Sequence, residues 1–195
     1  MAFVTNGVSA NERTILALGD SLVAGYGLPE QDNFPAQLEA ALAKKGIAAR
    51  VINGGVSGDT SAGGLRRLGW LMAEKPEMVI VELGANDGLR GLDPARTFEN
   101  IDAILTQTKK SGASILLTGM LAPPNLGREY AEEFNVVFPR LAEKHKVPFY
   151  PFFLDGVAAD PALNQPDGMH PNAKGISVIV ERILPQVLKV LDETG

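Results

Sequence analysis

The sequence predicts an α/β fold built on a mostly parallel sheet of roughly five strands. Short apolar stretches without internal polar residues alternate with longer segments whose apolar residues recur at helical spacing. Strands that are buried on both faces and joined by helices require a parallel sheet with right-handed crossovers. The chain has 195 residues, which favours one domain. We therefore predict an N-terminal extension at residues 1–13 and a single three-layer α/β/α sandwich at residues 14–195.

The first strand and helix follow from residues 15–46. Residues 15–18 are four consecutive apolar residues, as in a strand buried on both faces. Residues 22–33 hold two glycines and a proline, which predict a helical turn followed by a loop. Residues 34–45 carry apolar side chains at helical spacing, and Gly46 fits the end of that helix.

The second and third strands repeat this pattern. Residues 50–53 form the second strand, and the Gly- and Ser-rich loop after it opens a helix that Thr60 or Ser61 can cap. That helix ends near Pro76. Residues 78–83 are predicted as the third strand.

The second half of the chain continues the alternation. A helix at residues 94–111 starts with proline and precedes a glycine, and residues 114–118 form the fourth strand. Residues 129–146 have a helical pattern that contains Pro139, so we expect a kink or a split. The remaining elements are a fifth strand at residues 147–152, a loop-rich stretch at 155–172 and a closing helix at 172–191.

This order of elements predicts the flavodoxin-like strand order 2-1-3-4-5, with a switch point between the first and third strands. The predicted topology brings Gly19-Asp20-Ser21 and Gly84-Ala85-Asn86-Asp87 together at one edge of the sheet, with the loop of Gly58 beside them. Ligands bind at this edge in open α/β sheets. The sequence therefore places its candidate site there.

The composition excludes several classes of partner. A net charge of −5 argues against nucleic acid and anionic membranes, and no stretch approaches the roughly 18 apolar residues of a membrane span. The absence of cysteine excludes disulfides, a thiolate nucleophile and Cys-ligated metals. Residues 1–13 lack a signal-peptide core, so we expect a periplasmic or secreted location if a leader was removed and a cytoplasmic one otherwise. The oligomeric state is left undetermined.

Ser21 is a candidate nucleophile, although a serine after a strand is also a common helix N-cap. A serine nucleophile needs a base, for which histidine suits neutral pH. His145 lies at a charged helix end and is predicted to be a solvated surface residue. His170 precedes the last helix, and Asp167 three residues earlier could orient its imidazole or merely form a turn. Backbone N–H groups at Ser21 and Gly58 and the amide of Asn86 are candidate oxyanion donors.

These residues resemble the four blocks of the GDSL-type SGNH hydrolase family, along nearly the whole chain. The matching segments are Gly19-Asp20-Ser21-Leu22, Gly58, Gly84-Ala85-Asn86-Asp87 and Asp167-Gly168-Met169-His170. The flanking residues resemble the bacterial branch with the multifunctional thioesterase, protease and lysophospholipase and the related arylesterases. Ala85 and Met169 depart from the residues common in that branch.

The resemblance implies an SGNH hydrolase fold and a serine esterase that works through an acyl-enzyme. It implies Ser21 as nucleophile, His170 as base, Asp167 as its orienting acid, and Ser21, Gly58 and Asn86 as the oxyanion hole. The implied substrates are small aryl or short to medium acyl esters, with thioesters and lysophospholipids as further candidates. No metal or cofactor is implied, and the chain has neither a phosphate-binding Gly-x-x-x-x-Gly-Lys loop nor a His-Glu-x-x-His motif.

Apolar residues near the predicted site could contact the acyl chain or could pack on the core. The candidates for substrate binding are Leu22, Leu89, Leu121, Pro123, Leu126 and Met169. A carbohydrate acetyl-esterase or an acyltransferase with the same triad is an alternative, because these enzymes differ in their loops. A non-catalytic flavodoxin-like binding module is a further alternative. It is disfavoured because Asp20 would put a carboxylate where a bound anion should lie.

Overall fold

A five-stranded parallel sheet forms the centre of the computed structural model, which describes residues 12–193. The strand order is β2-β1-β3-β4-β5, as the sequence predicts. All four strand pairs are parallel. The strands are β1 (Arg13–Gly19), β2 (Ala49–Gly55), β3 (Met78–Val81), β4 (Ser114–Thr118) and β5 (Phe149–Tyr150).

Helices cover both faces of the sheet and complete a three-layer α/β/α sandwich. In chain order they are α1 (Ser21–Ala24), α2 (Phe34–Lys44), α3 (Ser61–Leu71), α4 (Ala85–Leu89), α5 (Pro94–Lys110), α6 (Arg128–Asn135), α7 (Val137–His145) and α8 (Ala173–Asp192). Helices α2 and α8 pack together over one face, and α3, α5 and α7 pack over the other. No helix within residues 12–193 is long and apolar enough to cross a membrane.

The central strands are inaccessible to solvent because helices cover them on both sides. Residues 15–18 of β1 and 78–81 of β3 are fully buried. Their unbroken apolar character is therefore a consequence of the sandwich, as expected for a parallel sheet. Strand β1 begins at Arg13, and residues 1–11 of the predicted extension lie outside the described residues.

The fifth strand is much shorter than the predicted span of residues 147–152. Only Phe149 and Tyr150 pair with β4, at the edge of the sheet. Pro148 and Pro151 flank this pair and lack the N–H that a longer ladder would need. The prolines therefore limit β5 to two residues.

The predicted interruption near Pro139 is confirmed as a split. Helix α6 ends at Asn135 and α7 begins at Val137, so the break precedes the proline by a few residues. Pro139 then lies in the first turn of α7. Backbone N–H groups in a first turn have no acceptor within the helix, so the missing N–H of proline removes no helical hydrogen bond. Thr60 caps α3, and Asn172 caps α8.

Candidate active site

The segments after β1 and β3 meet at the edge of the sheet where the sequence predicted a site. Asp20 is the N-cap of α1, and its Oδ1 accepts a hydrogen bond from the backbone N–H of Leu22 at 3.0 Å. Ser21 is the first residue of that short helix. The alternative interpretation of Ser21 as the N-cap is therefore wrong, and its hydroxyl is left available for another partner.

That partner is His170. The Oγ of Ser21 lies 3.0 Å from His170 Nε2, although the two residues are 149 positions apart. The other ring nitrogen, Nδ1, lies 2.7 Å from Asp167 Oδ2. A proton on Nδ1 that is donated to this carboxylate leaves the Nε2 lone pair directed at the serine hydroxyl. The structure thus brings the three predicted residues together in one hydrogen-bonded series.

Asp167 performs both tasks that the sequence left open. Its Oδ1 accepts the backbone N–H groups of Met169 at 2.9 Å and of His170 at 3.0 Å, which closes a turn. The backbone N–H of His170 is the largest cause that lowers the pKa of Asp167 to about 2, followed by that of Met169 and the imidazole of His170. Asp167 is therefore ionised throughout the neutral range.

Two backbone N–H groups close to the Ser21 hydroxyl have no acceptor in the described part of the chain. Within residues 12–193, the N–H groups of Ser21 and Gly58 donate to no other described group. Gly58 has φ +83°, a left-handed conformation that side-chain-bearing residues rarely adopt. Arg90 Nη2 donates to the Gly58 carbonyl at 2.7 Å and so fixes the orientation of this peptide segment. Both N–H groups belong to residues that line the same cavity.

Asn86 lies in the first turn of α4, and its amide is held on two sides. Nδ2 donates to Asp20 Oδ2 at 3.0 Å and to the Asp59 carbonyl at 2.9 Å. Sequence reasoning identified Asn86 but missed both acceptors. Only the parallel pairing of β1 with β2 and β3 brings their loops within hydrogen-bond distance.

Arg67 is a further site residue that the sequence did not reveal. From α3, its guanidinium donates to the carbonyls of Gly54 at 2.5 Å and Gly19 at 2.7 Å. It also forms an ion pair of 2.6 Å with Asp59. One side chain therefore connects the ends of β1 and β2 to the loop that carries Gly58. Nothing in the local pattern distinguishes Arg67 from its neighbour Arg66.

Two buried carboxyl groups, those of Asp20 and Glu82, lie close together next to the end of β1. The backbone N–H of Asp20 donates to Glu82 Oε2 at 3.2 Å, and both side chains are fully buried. Burial raises the pKa of Asp20 from 3.8 to about 6, against the lowering effect of the Leu22 N–H and the Asn86 amide. Burial, and then the charge of Asp20, raise the pKa of Glu82 well above its ordinary 4.5. The folded protein therefore keeps protons here that the unfolded chain would lose.

Asp20 and Glu82 both have raised pKa values in the folded state. The free energy of unfolding therefore decreases as the pH rises above their ordinary pKa values. We expect Glu82→Gln, which stays neutral, to remove a slope of at most about 1.4 kcal/mol per pH unit in the free energy of unfolding. The gain of the variant over wild type should grow as the pH rises above the ordinary pKa of a glutamate. Thermal or urea unfolding across this range measures it, with Glu99→Gln, from an exposed ion pair, as control. A gain that is the same at every pH would contradict the prediction.

The candidate triad opens into an apolar cavity of about 460 Å³. Of the predicted substrate-binding residues, Leu22, Leu89, Leu121, Pro123 and Met169 line it. Leu126 lies outside the lining and next to Gly91 instead. The cavity is also lined by Phe152, Leu154, Ala158 and Ala159, which the sequence analysis did not identify. No group of three or more His, Asp or Glu side chains in residues 12–193 is arranged to hold a metal ion.

The second histidine is not the solvated surface residue that the sequence predicts. The His145 side chain is only 9% exposed, and its Nε2 lies 2.6 Å from Asp102 Oδ1. Asp102 also pairs with Lys144 at 2.7 Å. The helix α7 turns His145 toward α5, which supplies this carboxylate and which the local charge pattern does not reveal. His145 is not among the residues that line the cavity.

The chain is similar to known proteins along nearly its whole length. Residues 17–176 match the model of the GDSL-like Lipase/Acylhydrolase family. Esterase TesA of Pseudomonas aeruginosa is 40% identical over 192 residues, which are 98% of this chain and 96% of its relative. The arylesterase of Vibrio mimicus is 38% identical over 190 residues, which are 97% and 95% of the two chains.

A solved structure is similar over the same extent. The crystal structure of AlinE4, an SGNH-hydrolase family esterase, superposes with a TM-score of 0.79 at 49% identity. The match covers 93% of this chain and 98% of that one. The sequence blocks, the strand order, the family model and the near-full-length relatives therefore all indicate the same family. The chain therefore belongs to the GDSL-like lipase/acylhydrolase family, the SGNH hydrolases that its four sequence blocks resemble.

Proposed function

We propose that Ser21, His170 and Asp167 are the catalytic residues of this ester hydrolase. The observation that carries the proposal is the series of hydrogen bonds from Ser21 Oγ to His170 Nε2 at 3.0 Å and from His170 Nδ1 to Asp167 at 2.7 Å. The relatives named esterase and arylesterase support the reaction class. The reaction is the transfer of an acyl group from a carboxylic ester to Ser21 and then to water.

In the first step, Ser21 Oγ attacks the ester carbonyl carbon while its proton moves to His170 Nε2. The new C–O bond places negative charge on the carbonyl oxygen, and the imidazole becomes a cation. Asp167 stabilises that cation, because its low pKa keeps it ionised at the pH of the reaction. The carboxylate also holds the imidazole in its tautomer through the Nδ1 contact.

Three donors stabilise the tetrahedral oxyanion. They are the backbone N–H groups of Ser21 and Gly58, which have no acceptor among residues 12–193, and the side-chain amide of Asn86. Asp20 and the Asp59 carbonyl hold the Asn86 amide before substrate arrives, so its orientation costs nothing during the reaction. The developing oxyanion shares an amide hydrogen with these acceptors, because both hydrogens of Nδ2 are already engaged.

The second half of the cycle reverses the proton transfers. The tetrahedral intermediate collapses, the ester C–O bond breaks, and the departing alkoxide takes the proton from His170 Nε2. Water then attacks the acyl-enzyme carbonyl and gives a proton to His170. The second collapse releases the carboxylic acid, and Ser21 Oγ recovers its proton.

The cavity favours aryl or short to medium acyl esters over carbohydrate esters. Its lining is mainly apolar, and it offers few polar side chains beyond the proposed catalytic ones, chiefly Ser57, Asn164 and Tyr26. Sugar rings carry several hydroxyl groups that each need a hydrogen-bond partner on binding. The cavity volume of about 460 Å³ limits the length of the acyl chain that it can hold.

A series of p-nitrophenyl esters from acetate to palmitate tests the proposal. We expect kcat/KM to be highest for short to medium chains and to fall for long ones, because the cavity holds about 460 Å³. The kcat/KM values for acylated sugars and for S-acyl thioesters of equal chain length show how the leaving group affects the reaction. A p-nitrophenyl phosphonate should inactivate the enzyme by labelling Ser21, as located by peptide mass spectrometry.

Two results would overturn the proposal. A rate that rises steadily to palmitate would contradict the acyl-length preference. An enzyme that is inert toward every ester, or a phosphonate label found elsewhere than on Ser21, would contradict the assignment of the nucleophile. The binding-module alternative would then gain support.

A further inference from the structure

We propose that Gln165 is a positioning residue that sets the distance between Ser21 and His170 by tying together the two loops that carry them. The inference rests on the proposed catalytic roles of these two residues. Gln165 touches neither reacting group with its side chain. It acts through the backbone on both sides of the catalytic contact.

The side-chain amide of Gln165 bridges the two loops. Its Nε2 donates to the carbonyl of Tyr26, in the loop that follows Ser21, at 2.7 Å. The same nitrogen donates to the carbonyl of Pro171, the residue after His170, at 3.0 Å. Both hydrogens of the amide are therefore used, one for each loop.

The backbone of Gln165 also holds the turn that presents His170. Its N–H donates to the carbonyl of His170 at 2.7 Å, and its carbonyl accepts from Gly168 at 2.9 Å. Gln165 thus contacts residues before and after the imidazole. A change in its position would move His170 and the Asp167 turn together.

Close packing at the junction supports the same role. A Cβ at Gly27 would overlap Gln165 Oε1, so the amide lies directly against this loop. The ring of Tyr26 contacts the His170 imidazole with centroids 4.6 Å apart. The carbonyl that Gln165 binds and the ring that contacts His170 therefore both belong to Tyr26. Loss of the Gln165 amide contact would loosen both.

Few other side chains could make this bridge. Asparagine is one methylene shorter, and an ionised glutamate would point a charged oxygen at two carbonyl oxygens. The Ser21–His170 contact is a single hydrogen bond of 3.0 Å between loops that are distant in sequence. Misplacing a reacting group by about 1 Å can reduce turnover about 100-fold.

The chain supplies a matched control in Gln37. Its Nε2 likewise donates to two backbone carbonyls, Asp32 at 2.9 Å and Ala173 at 3.0 Å. That bridge joins the loop before α2 to the start of α8, and Gln37 does not line the cavity. Loss of either bridge removes two hydrogen bonds of the same type, so the stability effects should be alike.

The experiment compares Gln165→Met, Gln165→Glu and Gln37→Met with wild type. Each variant is assayed for its melting temperature, for kcat and KM with p-nitrophenyl acetate and for its rate of phosphonate inactivation. We expect both Gln165 variants to lose about 10- to 100-fold in kcat, with KM changed by less than about twofold. Phosphonate inactivation should slow by a similar factor. Gln37→Met should lower the melting temperature as Gln165→Met does but keep kcat near wild type.

The outcomes separate this inference from the proposed function. Equal kcat losses at Gln165 and Gln37, or a kcat near wild type in Gln165→Met, would overturn the positioning role. Failure of both Gln165 variants to fold, when Gln37→Met folds, would also overturn it, since Gln165 would then be required for the fold itself. Ser21→Ala is assayed alongside, and a normal rate in that variant would instead overturn the proposed function.

Discussion

Replacing Ser21 with alanine is expected to lower the turnover of p-nitrophenyl esters by about 10⁴- to 10⁶-fold. The substitution removes the only hydroxyl within hydrogen-bond distance of His170 Nε2 among the described residues. It leaves the wall of the cavity and the capping contact of Asp20 in place, so the variant should fold. Substrate binding should survive, because the apolar lining is unchanged. The measurement is kcat, with ester binding followed separately by titration.

His170→Ala tests whether Ser21 acts as part of a unit. Each single variant should lose about as much activity as the Ser21→Ala/His170→Ala double variant, because the serine is a poor nucleophile without its base. Losses that multiply in the double variant would show two independent contributions. That result, or near-normal turnover in Ser21→Ala, would refute the assignment of this pair.

Asp167→Asn is expected to lower kcat by about 10⁴-fold while leaving the fold intact. Asparagine keeps the shape of the side chain, and its carbonyl oxygen can still accept the N–H groups of Met169 and His170. Its amide would then donate to His170 Nδ1, where the carboxylate now accepts. The imidazole would adopt the other tautomer, with a proton on Nε2 that cannot receive the one from Ser21. Activity measured at neutral pH, beside the melting temperature, checks this prediction.

Asp102→Asn is the matched control, because the chain has a second aspartate–histidine pair. Asp102 lies 2.6 Å from His145, outside the cavity. The same substitution there should leave kcat near wild type while affecting stability. If Asp167→Asn kept its activity, or if both variants lost it equally, the tautomer role of Asp167 would be excluded.

Local sequence was sufficient for the parts of this protein that depend on local physics. The unbroken apolar stretches of β1, β3 and β4 predicted buried parallel strands. A strand that helices cover on both faces places every side chain in the core, so polar residues do not alternate with apolar ones. The alternation of strands and helices then predicted the observed strand order. Ser21, Asn86 and His170 were identified as candidate site residues because their residue types follow strands or precede a helix in this topology. The pairing of Asp167 with His170 spans only three residues, so it too could be predicted.

The tertiary structure alone decided the contacts between distant segments. His145 is buried because α5 supplies Asp102, and no pattern within α7 shows that partner. The roles of Arg67 and Gln165 depend on backbone carbonyls, which every residue carries and which only folding makes specific. The raised pKa of Glu82 likewise arises from its burial and from the neighbouring charge of Asp20. A linear sequence determines which groups are available and how each short segment folds, whereas desolvation and long-range hydrogen bonds exist only after the segments have packed together.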